Sequence, residues 1–192
     1  MRCELSLNNH LAYQTSALLR DYVNLSPRGK TLLVCLRFWA HICKLDRQAE
    51  GTLPPHSFAL LMIHFLQRIK FPLLPCIHDY LNLSEDSELY STPIEQLSAW
   101  KTSNQMSVAE LWIEFFEHFS LGVLANDQII SIRSVQSSED KWKGKKMAIE
   151  DPFSIKRSLT RSVNSLRVLD FIADCFRIAY LYFGTVQTTL GK

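Results

Sequence analysis

Two stretches of this chain are apolar on nearly every helical face: "KTLLVCLRFWAHICKL", beginning at Lys30, and "SFALLMIHFLQRIK", beginning at Ser57. A surface helix shows one apolar stripe at a period of 3.6 residues, and a helix apolar all round belongs inside a core. Both runs are therefore predicted to be buried helices. Burying both requires other helices around them, which points to a helix-dominated domain. At 192 residues and 47% apolar side chains, the chain has the material for one domain with a sizeable core. No apolar run reaches the roughly 18 residues of a membrane span, and "MRCELSLNNH" lacks the apolar stretch of a secretory signal. The reading is a soluble intracellular protein with no membrane partner.

Start and stop signals divide the chain. Leu11, Ala12, Leu18, Leu19 and Tyr22 recur at helical spacing up to the turn "NLSPRG". Ser26 then caps the first apolar run, with Pro27 at its first helical position. Gly51 and Pro54–Pro55 set the start of the second. Ser107 and Glu110 form a capping box for "VAELWIEFFEHFSLG", and a last helix covers roughly Val168 to Phe183. Alternation marks "RCELSL" as a strand at the very start, a place where a domain seldom begins. "DQIISIRSV" reads as a second strand, "SSEDKWKGKK" as its turn and "MAIED" as the returning strand. Residues 79–105 are polar, Ser-rich and aperiodic, which predicts an exposed excursion. The fold class is mainly α (α+β), with a small strand element.

Simple chemistries find little support. A net charge of +2 is too mild to imply a polyanion partner by itself, so local clusters must carry that case. The five cysteines form no zinc-module spacing and read as buried thiols in a reducing compartment. There is no Gly-x-Ser-x-Gly elbow. "RGKT" echoes the end of a phosphate loop, but Asn24 stands where its first glycine is required. His64 and His118 lie in apolar helical runs as packed or rim residues. One local cluster remains: in "MAIEDPFSIKRSLTRSVNS" a proline stops a strand, and Lys156, Arg157, Arg161 and Arg167 follow over two turns of an expected helix. On that helix Arg157 and Arg161, four apart, would project together.

Two linked patterns give the chain a family likeness. "CELSLNN" is followed by "AYQTSALLRDYVNLSPRGKTLLVCLRFWA", and "GTLPPHSFALLMIHFLQ" is joined far downstream to "AIEDPF". In order and spacing they resemble the terminal uridylyltransferase and poly(A) polymerase group of the polymerase-beta-like nucleotidyltransferases. The resemblance covers nearly the whole chain. It implies that residues 1–8 are the remnant of a palm strand, and that residues 9–192 form the helical central, poly(A)-polymerase-associated (PAP-associated) domain. It also implies that an active parent protein would use UTP with Mg2+ or Mn2+ held by three carboxylates.

The chain departs from that pattern at the residues that matter for chemistry. It has no Gly-Ser dipeptide and no Asp-x-Asp, and Glu4 occupies the third carboxylate position. "Tyr13-Gln14-Thr15" replaces "His-Asn-Thr", and His56 stands at the tyrosine that stacks on the base. Arg37 and His41 match two lysines that face the triphosphate. Beyond "IEDPF", Arg157 takes the place of the histidine that selects uracil. This variant resembles the N-terminal, catalytically silent module of animal uridylyltransferases that act on microRNA precursors. The resemblance implies a cytoplasmic, non-catalytic module that binds RNA and an RNA-binding cofactor protein and needs no cofactor or metal of its own. The nucleotide cleft would be lined by Gln14, Thr15, Arg37, His41, His56 and Asp151, with Asp151 a structural cap. RNA would meet Lys156, Arg157 and Arg161. The alternatives are a slice of an active enzyme that adds UMP to RNA 3′ ends, and a scaffold with no RNA affinity.

Overall fold

The structure, a computed structural model, describes residues 7–80, 99–124, 128–133, 146–163 and 165–186. It is mainly helical with one small sheet. Helix α1 (His10–Leu25) starts where Asn9 Oδ1 accepts the Ala12 N–H at 3.1 Å. Ser26, in extended conformation, ends α1 and caps α2 (Pro27–Ile42) by accepting the Gly29 N–H at 3.2 Å. Pro27 follows in the first turn, where a missing N–H costs nothing. One residue thus closes a helix and opens the next, folding α1 back along α2.

Helix α3 (Ser57–Arg68) is the centre of the molecule, and every residue from Ser57 to Gln67 is buried. Helix α4 is a short turn (Ile77–Tyr80). Helix α5 (Val108–Glu117) begins with the expected reciprocal capping box of Ser107 and Glu110. It continues through a π-helical turn, His118–Val123, that carries Phe119 and Val123 into the core. Helix α6 (Leu166–Gly184) buries Ile172, Phe176 and Ala179. An aromatic cluster locks these helices together. Trp39 of α2 meets Phe116 of α5 at 4.9 Å and Phe176 of α6 at 5.1 Å, both edge to face, and Phe65 of α3 meets Phe115 at 5.6 Å.

Strands β1 (Ile129–Ile130), β2 (Ala148–Asp151) and β3 (Ser154–Ser158) form a sheet in the order β1-β2-β3. Two buried polar side chains tie the β1 end of the sheet to α3. The Ser131 carbonyl lies 2.8 Å from His64 Nδ1, and the Gln67 amide donates to Tyr22 Oη, Pro75 O and Ile132 O.

The structure corrects several expectations. "MAIED" does not return antiparallel: β2 runs parallel to β1, with Ile129 opposite Ala148 and Ile130 opposite Ile149. A parallel neighbour needs a crossover of a dozen or more residues, and the sequence between the two strands is long enough for one. All of the expected turn "SSEDKWKGKK" except its last residue, Lys146, lies outside the described residues. The stretch after Pro152 is no α-helix either. It forms β3, antiparallel to β2, and then a 3-10 turn, Leu159–Ser162. There Ser158 Oγ accepts the Thr160 N–H, and Thr160 Oγ1 donates to Met147 O at 3.1 Å.

Nor is α2 buried all round, since Val34, Phe38 and Ile42 are 62%, 68% and 62% exposed. The end of the expected 79–105 excursion is held down, not loose. Thr102 donates to Pro72 O, Asn104 is buried and donates to Phe71 O, and Arg28 donates to Asn104 and to Met106 O. Residues 81–98 of that excursion lie outside the described residues. The cysteines differ as well: Cys35 is exposed, and Cys43, Cys76 and Cys175 are half-buried free thiols. Of the expected palm strand, residues 1–8, residues 1–6 lie outside the described residues, and residues 7–8 form a bend with Leu7 almost fully exposed. Among the described residues no helix is long and apolar enough to cross a membrane.

Candidate functional site

A polar cleft is built where α2, the loop before α3 and the β2–β3 hairpin meet. Arg37, in the third turn of α2, donates to Pro55 O at 2.8 Å and sits 3.5 Å from Asp46 Oδ2. One turn on, His41 Nδ1 lies 3.3 Å from the same oxygen. The Asp46 side chain is 7% exposed, so a nearly buried carboxylate draws both α2 side chains to one point. The loop that carries it is fixed from within. Arg47 N–H donates to Thr52 Oγ1 at 2.8 Å, Leu53 N–H donates to Leu45 O at 3.1 Å, and Gly51 supplies the left-handed turn at φ 90°.

The hairpin closes the other side. Asp151 Oδ1 accepts the Phe153 N–H at 3.0 Å, capping the turn at Pro152, and Arg133 donates to Pro152 O. Asp151 Oδ2 faces Arg157 Nε at 3.9 Å, and the Asp151 side chain is only 5% exposed. Ser162 Oγ donates to Thr52 O, joining the hairpin to the loop before α3. His56, at the start of α3, lies between the two sides. Burial holds its imidazole below the ordinary range; Asp151 pulls it up, while Arg157 and Arg37 push it further down. His56 is thus a neutral ring between two guanidinium groups. The cleft balances Arg37 and Arg157 against Asp46 and Asp151, and each arginine leans on an internal carboxylate.

The structure brings Arg37, His41, His56, Asp151 and Arg157 into this one site. It does not bring all the predicted residues there. Thr15 Oγ1 donates to Leu11 O of its own helix at 2.9 Å, and among the described residues no hydrogen bond joins Gln14 or Thr15 to the cleft. Lys156 and Arg157 are neighbours on a strand and emerge on opposite faces, and Arg161 sits in the 3-10 turn. The expected helical face of Arg157 and Arg161 therefore does not exist. Glu4 lies outside the described residues.

Asp46 is the member of this cluster that sequence reasoning missed, although a single carboxylate in the stretch "RFWAHICKLDR" was a signal. A pair of catalytic metal ions needs several carboxylates on one point. Among the described residues no group of three His, Cys, Asp or Glu side chains is placed to hold a metal. Asp46 and Asp151 are each engaged in an ion pair of their own. The described residues do not fit such a centre.

The arrangement is a helical core with a small sheet, and its polar site lies between α2 and an Asp-Pro hairpin. No protein-family model matches the chain. It is 31% identical over 224 residues to human "Terminal uridylyltransferase 7", covering 95% of this chain and 15% of that protein. It is 28% identical over 250 residues to human "Terminal uridylyltransferase 4", covering 99% and 15%. Similarity to "Poly(A) RNA polymerase cid11" of Schizosaccharomyces pombe is 26% over 172 residues, covering 86% and 36%. The chain thus spans a small part of the length of these relatives. Its fold matches a solved cytoplasmic RNA terminal U-transferase at a TM-score of 0.80 and 23% identity, over 96% of this chain and 62% of the other. A Cid1 poly(U) polymerase structure with MgGTP bound also gives 0.80 at 23%, over 96% and 59%. Another Cid1 structure carries the UTP analogue UMPNPP. Its homologues are terminal uridylyltransferases and poly(A) RNA polymerases, which supports the nucleotidyltransferase family for this chain.

Proposed function

We propose that this chain is a non-catalytic nucleotidyltransferase module of a cytoplasmic RNA uridylyltransferase, one that holds RNA and docks an RNA-binding cofactor protein while another part of its parent transfers UMP. The carrying observation is the state of the cleft. Arg157, at the position of the uracil-selecting histidine, is drawn to Asp151, and Arg37 is drawn to Asp46 and Pro55 O. A triphosphate would have to displace both carboxylates to reach the arginines, and the neutral, half-buried His56 offers a smaller stacking surface than a tyrosine. The parent, by analogy with neighbours solved with magnesium nucleotides or a UTP analogue, would use UTP and Mg2+ or Mn2+ elsewhere.

RNA would be held by exposed cations outside the closed cleft. Lys156 and Arg161 are exposed and have no ion-pair partner among the described residues, so they are offered for phosphate contacts. The test pairs two readouts on one sample of the chain with labelled single-stranded RNA, UTP and Mg2+ or Mn2+. Salt-dependent binding with no lengthening of the RNA is the expected result. Addition of even one nucleotide would instead make the chain part of an active uridylyltransferase, the reading favoured by the relatives' names alone.

A further inference from the structure

The outer row of α2 is not explained by the cleft. Lys30, Val34, Phe38 and Ile42 recur every four residues, so they form a column up the solvent side of the helix, about 18 Å long from Lys30 to Ile42 at 1.5 Å per residue. All four are exposed, and Phe38 stands 68% in solvent, an unusual position for a phenyl ring on an ordered helix. His41, 73% exposed at its side chain, lies beside Phe38 on the cleft flank, and Lys44 is exposed just beyond the helix end. Helix α2 contains no carboxylate. Arg28 donates to Asn104 and Met106 O and Arg37 donates to Pro55 O, so Lys30 is the basic group left on this row, with the His41 imidazole beside it. The next carboxylate, Asp46, is nearly buried on Arg37 and His41, and Glu50 is paired with Arg47 at 3.0 Å.

We propose that this row is a seat for single-stranded RNA, with Phe38 stacking on a base and Lys30 and His41 along the phosphates on either side. The inference rests on the RNA-binding reading above and names its surface and mode. An exposed aromatic ring on a helix that carries Lys30 and no carboxylate of its own, with the exposed His41 imidazole beside it, suits an unpaired nucleic-acid strand, because every base has a π-face and every linkage a negative charge. A protein partner matches it less well, since the core of a protein interface is depleted of lysine. The contact reads no sequence. Arg37, held in the cleft by Asp46 and Pro55 O, stays out of it.

Fluorescence anisotropy of the 192-residue chain with a labelled single-stranded RNA of mixed sequence tests this. Phe38→Ala should weaken binding about ten-fold, the worth of one stacked base. Phe38→Tyr should keep the parent affinity, and Phe38→Leu should lose it although it stays apolar. Lys30→Gln should lower the salt slope by about 0.7, one phosphate on a single strand. In Phe38→Trp, the emission of the added indole should be quenched on RNA addition. If Phe38→Ala binds like the parent with an unchanged circular dichroism spectrum, the row is not the seat, while RNA binding elsewhere still stands. A parent chain with no RNA affinity removes both readings. If Phe38→Ala changes only sedimentation, the row is an interface between copies and the proposal is overturned.

Discussion

Helices α2 and α3 carry similar loads of large apolar side chains, yet α3 is buried from Ser57 to Gln67 while α2 leaves Val34, Phe38 and Ile42 in solvent. The difference lies in the neighbours. Around α3 stand α2, the aromatic ring of Phe115 on α5 and the chain at the end of β1. Around α2 stand α1, α3 and α5, with Phe176 of α6 against Trp39, and the outer side with Val34, Phe38 and Ile42 is exposed. An apolar helix is therefore no proof of a core helix. What stays exposed beside a cationic flank is a surface open to selection for binding.

The strongest test of this contrast is a pair of phenylalanines. Phe65 on α3 is 1% exposed and meets Phe115 and His118. Phe65→Ala should cost about 3–5 kcal/mol in urea unfolding, whereas Phe38→Ala should stay within about 0.5 kcal/mol. Equal losses would erase the distinction between the two helices.

A second test uses acid. Burial holds the His64 imidazole down to about 3, with Arg68 and His118 adding to the effect and the Ser131 carbonyl opposing it. Because the folded value is depressed below the ordinary 6.5, the unfolded chain binds the proton more readily. The stabilising effect of the neutral ring is complete above 6.5 and is lost as pH falls from there toward about 3, at up to about 1.4 kcal/mol per pH unit. Denaturant midpoints measured across that range should fall less steeply in His64→Gln than in the parent. Identical acid limbs would mean the ring is not buried as a neutral group. Next in size, Gln67→Leu should cost about 2 kcal/mol, because Pro75 O, Ile132 O and the Tyr22 hydroxyl lose a donor in a dry place. An unchanged urea midpoint would show that those groups find other partners.

The smallest expected effect is outside the core. Lys156→Ala and Arg161→Ala should each lower the salt slope of RNA binding by about 0.7 and leave unfolding unchanged. A larger loss from Arg157→Ala than from either would place RNA in the cleft and not on its rim.

Legibility in the sequence followed locality. The starts of α2 and α5 could be read because Ser26 with Pro27, and Ser107 with Glu110, are signals complete within four residues. The strand after Pro152, Ser154–Ser158, reads as a helix in the sequence because its cause is not local in that sense. Asp151 turns the chain through the Phe153 N–H, and β3 then takes its hydrogen bonds from β2. The parallel order of β1 and β2 rests on pairing between distant residues and has no periodic signature. Within the site, Arg37, His41, His56, Asp151 and Arg157 were named by family likeness. Asp46, which binds two of them, has no such counterpart in the motifs and became visible only in three dimensions.

The central claim is that the cleft is closed on itself while the outer surface holds RNA. It is tested most directly by thermal unfolding of the chain in increasing UTP with Mg2+, and separately in increasing single-stranded RNA. A ligand that binds only the folded state raises the midpoint with its concentration. RNA should raise the midpoint and UTP should leave it where it is, because Arg37 and Arg157 are held by Asp46 and Asp151. A midpoint that climbs with UTP, or one that RNA fails to move, would contradict the account.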